Sequence, residues 1–242
     1  MRRRLVYLAS PQATKPLFVF LCLAAWCVGV GGTAWGGTIK GTVRFSGAAS
    51  EPKKLPVTVD HSVCGVEKDA EDIVLSPEKG LRNVVVSLQT PAPGAKGPVA
   101  LPTVQMDQEQ CAFVPRVVLV PAGGTVEFLN SDRLLHNLHS ASKENRIFNR
   151  TQPRGRTIPI VLEKPEIIRV DCDLHPWMRA WVVVAEHPFY AITNDRGEFV
   201  LDNVPPGEHT LRFWQESLGT VTKDVTVRDE AITTVTVDMS KN

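Results

Sequence analysis

The chain has 242 residues, with 27 Lys and Arg against 26 Asp and Glu and a formal charge of +1. That balance offers no basic face of the kind a nucleic-acid partner needs. Residues 1–36 hold Arg2, Arg3, Arg4 and Lys15 and no acidic side chain, so the remaining 206 residues carry a formal charge of −3, and their number suits one large β domain or two small ones.

The N-terminus reads as an export signal. A basic MRRR start, the uncharged apolar run LFVFLCLAAWCVGVGG (17–32) and the small residues of GTAWGG follow the order of n-region, h-region and processing site. The expectation is a signal peptide over 1–36 and a periplasmic or otherwise exported mature chain. A retained membrane anchor is the alternative, against which the shortness of the apolar run counts. Cys22 and Cys27 would leave with the signal, while Cys64, Cys111 and Cys172 remain. An odd count in an exported chain calls for one couple and one thiol with another task. Cys64 with Cys111 is the default disulfide; buried free thiols or a different pairing are the alternatives.

Beyond the signal, short β-rich runs separated by Gly, Pro, Asn and Asp predict an all-β chain. Strands are expected at 38–45, 83–89, 116–120, 125–129, 157–162, 167–171 and 180–185, then at 190–193, 198–201, 209–214, 220–227 and 232–239. Gly123-Gly124 and Asp195-Arg196-Gly197 are turns. TPAPGAKGPVA (90–100) is a loop with little to pack, and 141–156 is a polar, positively charged excursion between strands. Residues 80–186 hold the candidate metal residues and 187–242 form a compact strand series. Residues 37–79 either open the first region or pair with the C-terminal strands.

The chemistry concentrates in CDLHPWMRAWVVV (172–184), where Cys172, His175 and Met178 lie at intervals of three. A thiolate, an imidazole and a thioether together favour copper; a zinc site more usually gathers further thiolates, histidines or carboxylates. The other histidine cluster is 136-HNLH-139. If it continues as a strand, His136 and His139 point to opposite faces, so one of them at most reaches a metal. His₂Cys with a weak axial Met is the ligand set of an electron-transfer copper site, which needs no open position for a substrate.

The loop CDLHPWMRAWVVV resembles the short Cys-x-x-His-Pro-aromatic-Met-Arg ligand loop of amicyanin-type members of the cupredoxin (blue copper) family. VPAGGTVEFLNSDRLLHNLHS (120–140) is similar to the cupredoxin strand and loop that carry the first histidine ligand. The resemblance covers roughly residues 110–186 and implies a Greek-key β-sandwich holding one type 1 copper. It implies His136, Cys172, His175 and Met178 as ligands, Asn137 as the brace of the cysteine loop, and His139 as a non-ligand. AITNDRGEFVLDNVPPGEHTLRFW (191–214) resembles carboxypeptidase regulatory-like (transthyretin-like) β-sandwich modules, and GTIKGTVRFSG resembles their first strand. The whole layout is similar to exported chains labelled "methylamine utilisation protein". On this reading 80–186 is the copper domain, 187–242 the second sandwich, and 37–79 a β segment that could belong to it.

Two function classes follow. One is an exported electron carrier with no substrate at the metal, serving a redox protein such as a cytochrome c or a dehydrogenase. The other is a non-redox module that stores copper or docks a partner or glycan. No paired carboxylates and no Ser/His/Asp arrangement have persuasive spacing, so a carrier is expected rather than a catalyst. His175 is expected to present its outer ring edge to solvent, with Pro176 and Trp177 beside it as an apolar docking patch. In the alternative, Trp177 packs against the C-terminal module.

Overall fold

Apolar side chains at every second position turn most of the chain into strands buried on one face. The computed structural model describes residues 36–48, 51–90 and 102–241; residues 1–35 of the expected signal peptide and 91–100 of the expected loop lie outside them. In chain order the elements are β1 (Gly37–Phe45), β2 (Lys54–Pro56), α1 (His61–Cys64), β3 (Glu67–Asp69), β4 (Val85–Leu88), β5 (Thr103–Glu109) and β6 (Ala112–Val114). Then come β7 (Val117–Pro121), β8 (Thr125–Asn130), β9 (His136–Ala141), β10 (Asn149–Gln152), β11 (Ile158–Val161), β12 (Glu166–Asp171) and β13 (Arg179–Ala185). β14 (Tyr190–Ile192), β15 (Glu198–Val204), β16 (Gly207–Gln215), β17 (Gly219–Val227) and β18 (Ile232–Met239) complete the chain. No helix among the described residues is long and apolar enough to cross a membrane.

The fold is all-β, as expected, and consists of two sandwiches. In the first, a five-stranded sheet β10-β9-β12-β13-β7 faces a four-stranded sheet β11-β8-β5-β6. Between them lie Met106, Val126, Phe128, Leu138, Ile168, Val170 and Val182. The alternation in β8 is strict, with Val126, Phe128 and Asn130 inward. In the second sandwich, β15-β1-β18 faces β14-β4-β16-β17 over Ile39, Val43, Phe199, Leu211, Phe213 and Val237. Within β15-β1-β18, Gly41 leaves room for its cross-strand neighbour Phe199, whose ring a Cβ there would approach to 2.6 Å. The two sandwiches meet through Val85, Val117 and Val183, with Trp181 against Trp214. Arg116 and Glu216 add an ion pair across the junction at 2.6 and 2.9 Å, both side chains less than a tenth exposed.

Chain order and spatial order part company at the N-terminus. β1 pairs with β15 and β18, which places it in the second sandwich. β4, inside the 80–186 segment expected to be the copper region, is hydrogen-bonded to β14 and β16 instead. Its four residues are all buried because Val86 and Leu88 face one core while Val85 faces the junction. Residues 102–185 are thus a sandwich inserted between strands of the other. Residues 53–70 form an arm, the hairpin β2–β3 with α1 at its tip, whose Val57 and Cys64 reach into the first core. The excursion 141–156 contains β10, an edge strand paired with β9, whose inward Gln152 exchanges hydrogen bonds with Gln108 and Phe128.

Candidate metal centre

Three side chains from two separate stretches of sequence converge at one end of the first sandwich. His136 opens β9, Cys172 follows β12, and His175 lies in the loop before β13. The loop is wound so that residues three apart face the same way. His175 N–H donates to Cys172 C=O, Met178 N–H to His175 C=O, and Cys172 N–H back to Met178 C=O. His136 and His175 are fully buried, Cys172 and Met178 nearly so. Facing atoms are His136 Nδ1 and His175 Nδ1 at 2.9 Å, with Cys172 Sγ 3.9 and 3.6 Å from them. A triangle with those edges has a point about 2 Å from all three atoms, close to metal–nitrogen and slightly short of metal–sulfur bond lengths.

The hydrogen-bond partners behind the two rings explain why that triangle suits a cation. His136 Nε2 lies 2.9 Å from Asp132 Oδ2, and His175 Nε2 lies 3.0 Å from Asp60 Oδ2. A carboxylate accepting at Nε2 favours, for each ring, the tautomer that turns a lone pair inward at Nδ1. Two lone pairs then face one another beside a buried sulfur. Burial lowers the His136 pKa, and burial likewise pushes the Cys172 thiol up, against the Asn137 N–H that donates to Sγ at 3.5 Å. Neither an added proton nor a bare thiolate is comfortable here, whereas a soft cation would satisfy all three groups.

Asp132 also holds the structure around it. Gln110 and Cys111, the two central residues of the β5–β6 turn, have φ of 51° and 54°. A type I′ turn demands that conformation, which L-residues adopt at a cost of about 1–2 kcal/mol each. Both of their N–H groups donate to the Asp132 carboxylate at 2.7 Å. Cys111 is bonded to Cys64, the pairing expected by default; among the described residues Cys172 is the free thiol.

Asn137 braces the cysteine loop. Its Oδ1 accepts from Asp173 N–H, and its Nδ2 donates to Asp173 Oδ2 at 3.1 Å and to Asn149 Oδ1 at 2.9 Å. His139 has the opposite parity to His136, points outward and pairs with Asp173 at 3.0 Å. That hydrogen bond, with those from Asn149 and Asn137, lowers the Asp173 pKa despite a little burial.

One expectation and one alternative are corrected. The outer edge of His175 does not reach solvent, because the arm covers it and Asp60 takes its Nε2. Trp177 is half-buried, with its Nε1–H donating to Cys111 C=O at 3.1 Å and its ring 5.2 Å from that of His175. It packs on the core of its own sandwich rather than on the C-terminal module; Pro176 beside it is exposed. The sequence reading assigned no role to Asp132 or Asp60. The spacing of Asp132 and His136, one side chain after a turn and one at the start of a strand, hints at the first; nothing local points to Asp60.

Comparison with known proteins adds two kinds of likeness. Residues 173–240 match the carboxypeptidase regulatory-like domain, a span that includes β13 and the strands from β14 to β18. No curated protein matches the chain. Among solved structures, a Cu-containing nitrite reductase (NirK) from Thermus scotoductus SA-01 is 28% identical with a TM-score of 0.34, over 40% of this chain and 25% of that one. A novel purple cupredoxin from Nitrosopumilus maritimus is 23% identical with a TM-score of 0.30, over 34% of this chain and 99% of that one. A reduced Cu(I) form of an amicyanin variant at pH 4 is 20% identical with a TM-score of 0.33, over 41% and 98%. The chain therefore spans a quarter of the nitrite reductase, and each likeness covers less than half of this chain.

Proposed function

We propose that this protein is an exported electron carrier with one type 1 copper held by His136, Cys172 and His175, and by Met178 as a long, weak fourth ligand. The observation that supports it most is the convergence of two inward imidazole lone pairs and one buried sulfur on a single point. One thiolate with two imidazoles suits copper better than zinc, calcium or magnesium. Copper would supply a one-electron couple. The protein's share is to keep both rings and the thiolate in place in either oxidation state, through Asp132, Asp60 and Asn137. Little then needs to rearrange when the charge changes.

Copper uptake would release the Cys172 proton, since burial disfavours the thiolate without a cation. The partner we propose is another exported redox protein, a cytochrome c or a dehydrogenase, docking beside Pro176 and Trp177 with no substrate at the metal. Export would proceed by the 1–36 signal, and the Cys64–Cys111 disulfide suits an oxidising compartment. The regulatory-like sandwich serves as a scaffold on this reading. The test is a visible spectrum and metal analysis of the chain titrated with Cu(II). One copper per chain and an intense thiolate-to-copper band are expected; a pale spectrum without that band would overturn the assignment.

A further inference from the structure

The strands of the arm 53–70 pair only with each other, outside the sheets of both sandwiches, yet the arm ends on the candidate metal centre. Its hairpin closes with Val57 N–H to Val66 C=O, and His61 Nε2 meets Val57 C=O at 2.9 Å, fixing the tip. At that tip Asp60 precedes α1 with φ 54° and ψ 36°, in the left-handed region. An aspartate before a helical turn normally accepts a hydrogen bond from that turn's own N–H groups. Asp60 makes no such bond. Its carboxylate reaches out of the turn to His175 Nε2 at 3.0 Å. The chain thus adopts an uncommon backbone conformation and forgoes a cap to bring one carboxylate to one ring.

The disulfide explains how the arm is held there. Cys64 closes α1, four residues after Asp60, and is bonded to Cys111. Cys111 in turn donates its N–H to Asp132, the carboxylate on the other histidine, and its sulfur lies within 4.8 Å of both Asp132 and His136. One covalent link therefore ties together the two carboxylates that orient the two imidazoles. Lys68 donates to Gln110 C=O and fastens the hairpin to the same turn.

We infer that Asp60 is a positioning residue for His175, locking its ring through Nε2 and closing its outer edge, and that the Cys64–Cys111 disulfide keeps it in position. The inference rests on the copper reading for its electronic consequence but not for its geometry. A carboxylate hydrogen-bonded to a ligand ring increases the ring's donor strength and favours the more highly charged ion. It also closes the imidazole edge to a docking protein, which leaves the Pro176 side of the loop as the approach.

The test uses the full chain, metal-free and copper-loaded, as wild type, Asp60→Asn, Asp60→Ala and Cys64→Ser/Cys111→Ser. In the metal-free chain, each histidine's rate of modification by diethyl pyrocarbonate is read by peptide mass spectrometry, with His139, whose side chain is 44% exposed, as internal standard. His175 in the wild type should react at least about tenfold more slowly than His139, in keeping with its burial. Protection should persist in Asp60→Asn, whose amide oxygen still accepts from Nε2, and be lost in Asp60→Ala and in the double serine variant. Wild-type protein treated with a thiol reductant replaces the double variant if that does not fold. In the copper-loaded chain, Asp60→Asn should shift the preference toward Cu(I) by roughly tenfold, about 59 mV for one electron. Equal reaction of His175 and His139 in the wild type, or unchanged protection in Asp60→Ala, would overturn the clamp. An unmoved potential in Asp60→Asn would overturn its electronic role. If the chain takes up no copper, the copper reading fails while the modification rates still decide whether Asp60 holds His175.

Discussion

Asp132→Asn isolates the support beneath His136 with almost no change in volume. The wild-type carboxylate accepts from Gln110 N–H, Cys111 N–H and His136 Nε2–H at 2.7, 2.7 and 2.9 Å, and its side chain is 7% exposed. An asparagine has one accepting oxygen, so its amide NH₂ would face at least one of these donors. A buried donor left unsatisfied costs about 1–3 kcal/mol, and bonds to a charged acceptor lie at the upper end. Two of the donors belong to left-handed residues that depend on the carboxylate. We therefore expect a loss of about 3 kcal/mol, which for a folded chain of this size lowers Tm by roughly 6–12 °C. Thermal unfolding of the metal-free chain with the disulfide intact measures it. Copper affinity should fall by roughly 10–100-fold, the usual effect of removing a partner behind a metal-bound histidine. A Tm within about 2 °C of wild type, with unchanged affinity, would refute the reasoning that the strained turn and the ring share one carboxylate.

Other expectations follow from the same geometry. Cys172→Ser should abolish the charge-transfer colour, whereas Met178→Leu should keep it with a shifted potential, because the thioether is the weaker ligand; identical spectra would show that the two roles are misassigned. Arg116→Met strands a buried Glu216 carboxylate and should cost about 3–5 kcal/mol, with much of that recovered in Arg116→Met/Glu216→Gln; denaturant titration of the three chains compares them. Glu166 resists burial through hydrogen bonds from Ser142, Lys143 N–H and Asn145, which hold its carboxyl at about 2. A depressed carboxyl contributes stability fully above its unfolded value of 4.5 and loses it as pH falls towards 2. Glu166→Gln should thus weaken the chain by about 1–2 kcal/mol at neutral pH, after allowance for solvent screening, and flatten the acid limb of its stability curve over that window.

The sequence by itself determined the elements whose signals are local. The period-two run TVEFLN became β8, buried on one face, and the continuous apolar run AWVVVA became β13, with Val182 and Val184 in the first core and Val183 at the junction. The candidate ligand types were legible because Cys172, His175 and Met178 sit in one loop, and strand parity separated His136 from His139. Strands carrying polar side chains inward were not legible: β5 and β10 turn Gln108 and Gln152 into the core, where Gln108 Nε2 donates to Gln152 Oε1 and Leu129 C=O and Gln152 Nε2 donates to Phe128 C=O, while Gln108 Oε1 is left without a partner among the described residues. A pattern of apolar alternation cannot reveal a buried amide whose partner lies 44 residues away.

Only the tertiary structure decided the rest. Whether β1 and β4 joined the first sandwich or the second depended on which sheet edges were open to them, a long-range competition that their own residues leave undecided. The charge environment of the metal centre was likewise set by contacts distant in sequence. Asp60 is 115 residues from His175, and only the disulfide and the packing of its arm bring it there. The spacing of the ligands is a property of one short loop. The covering of that loop is a property of the assembled chain, because it requires a distant segment to be held against it at the expense of its own local hydrogen bonds.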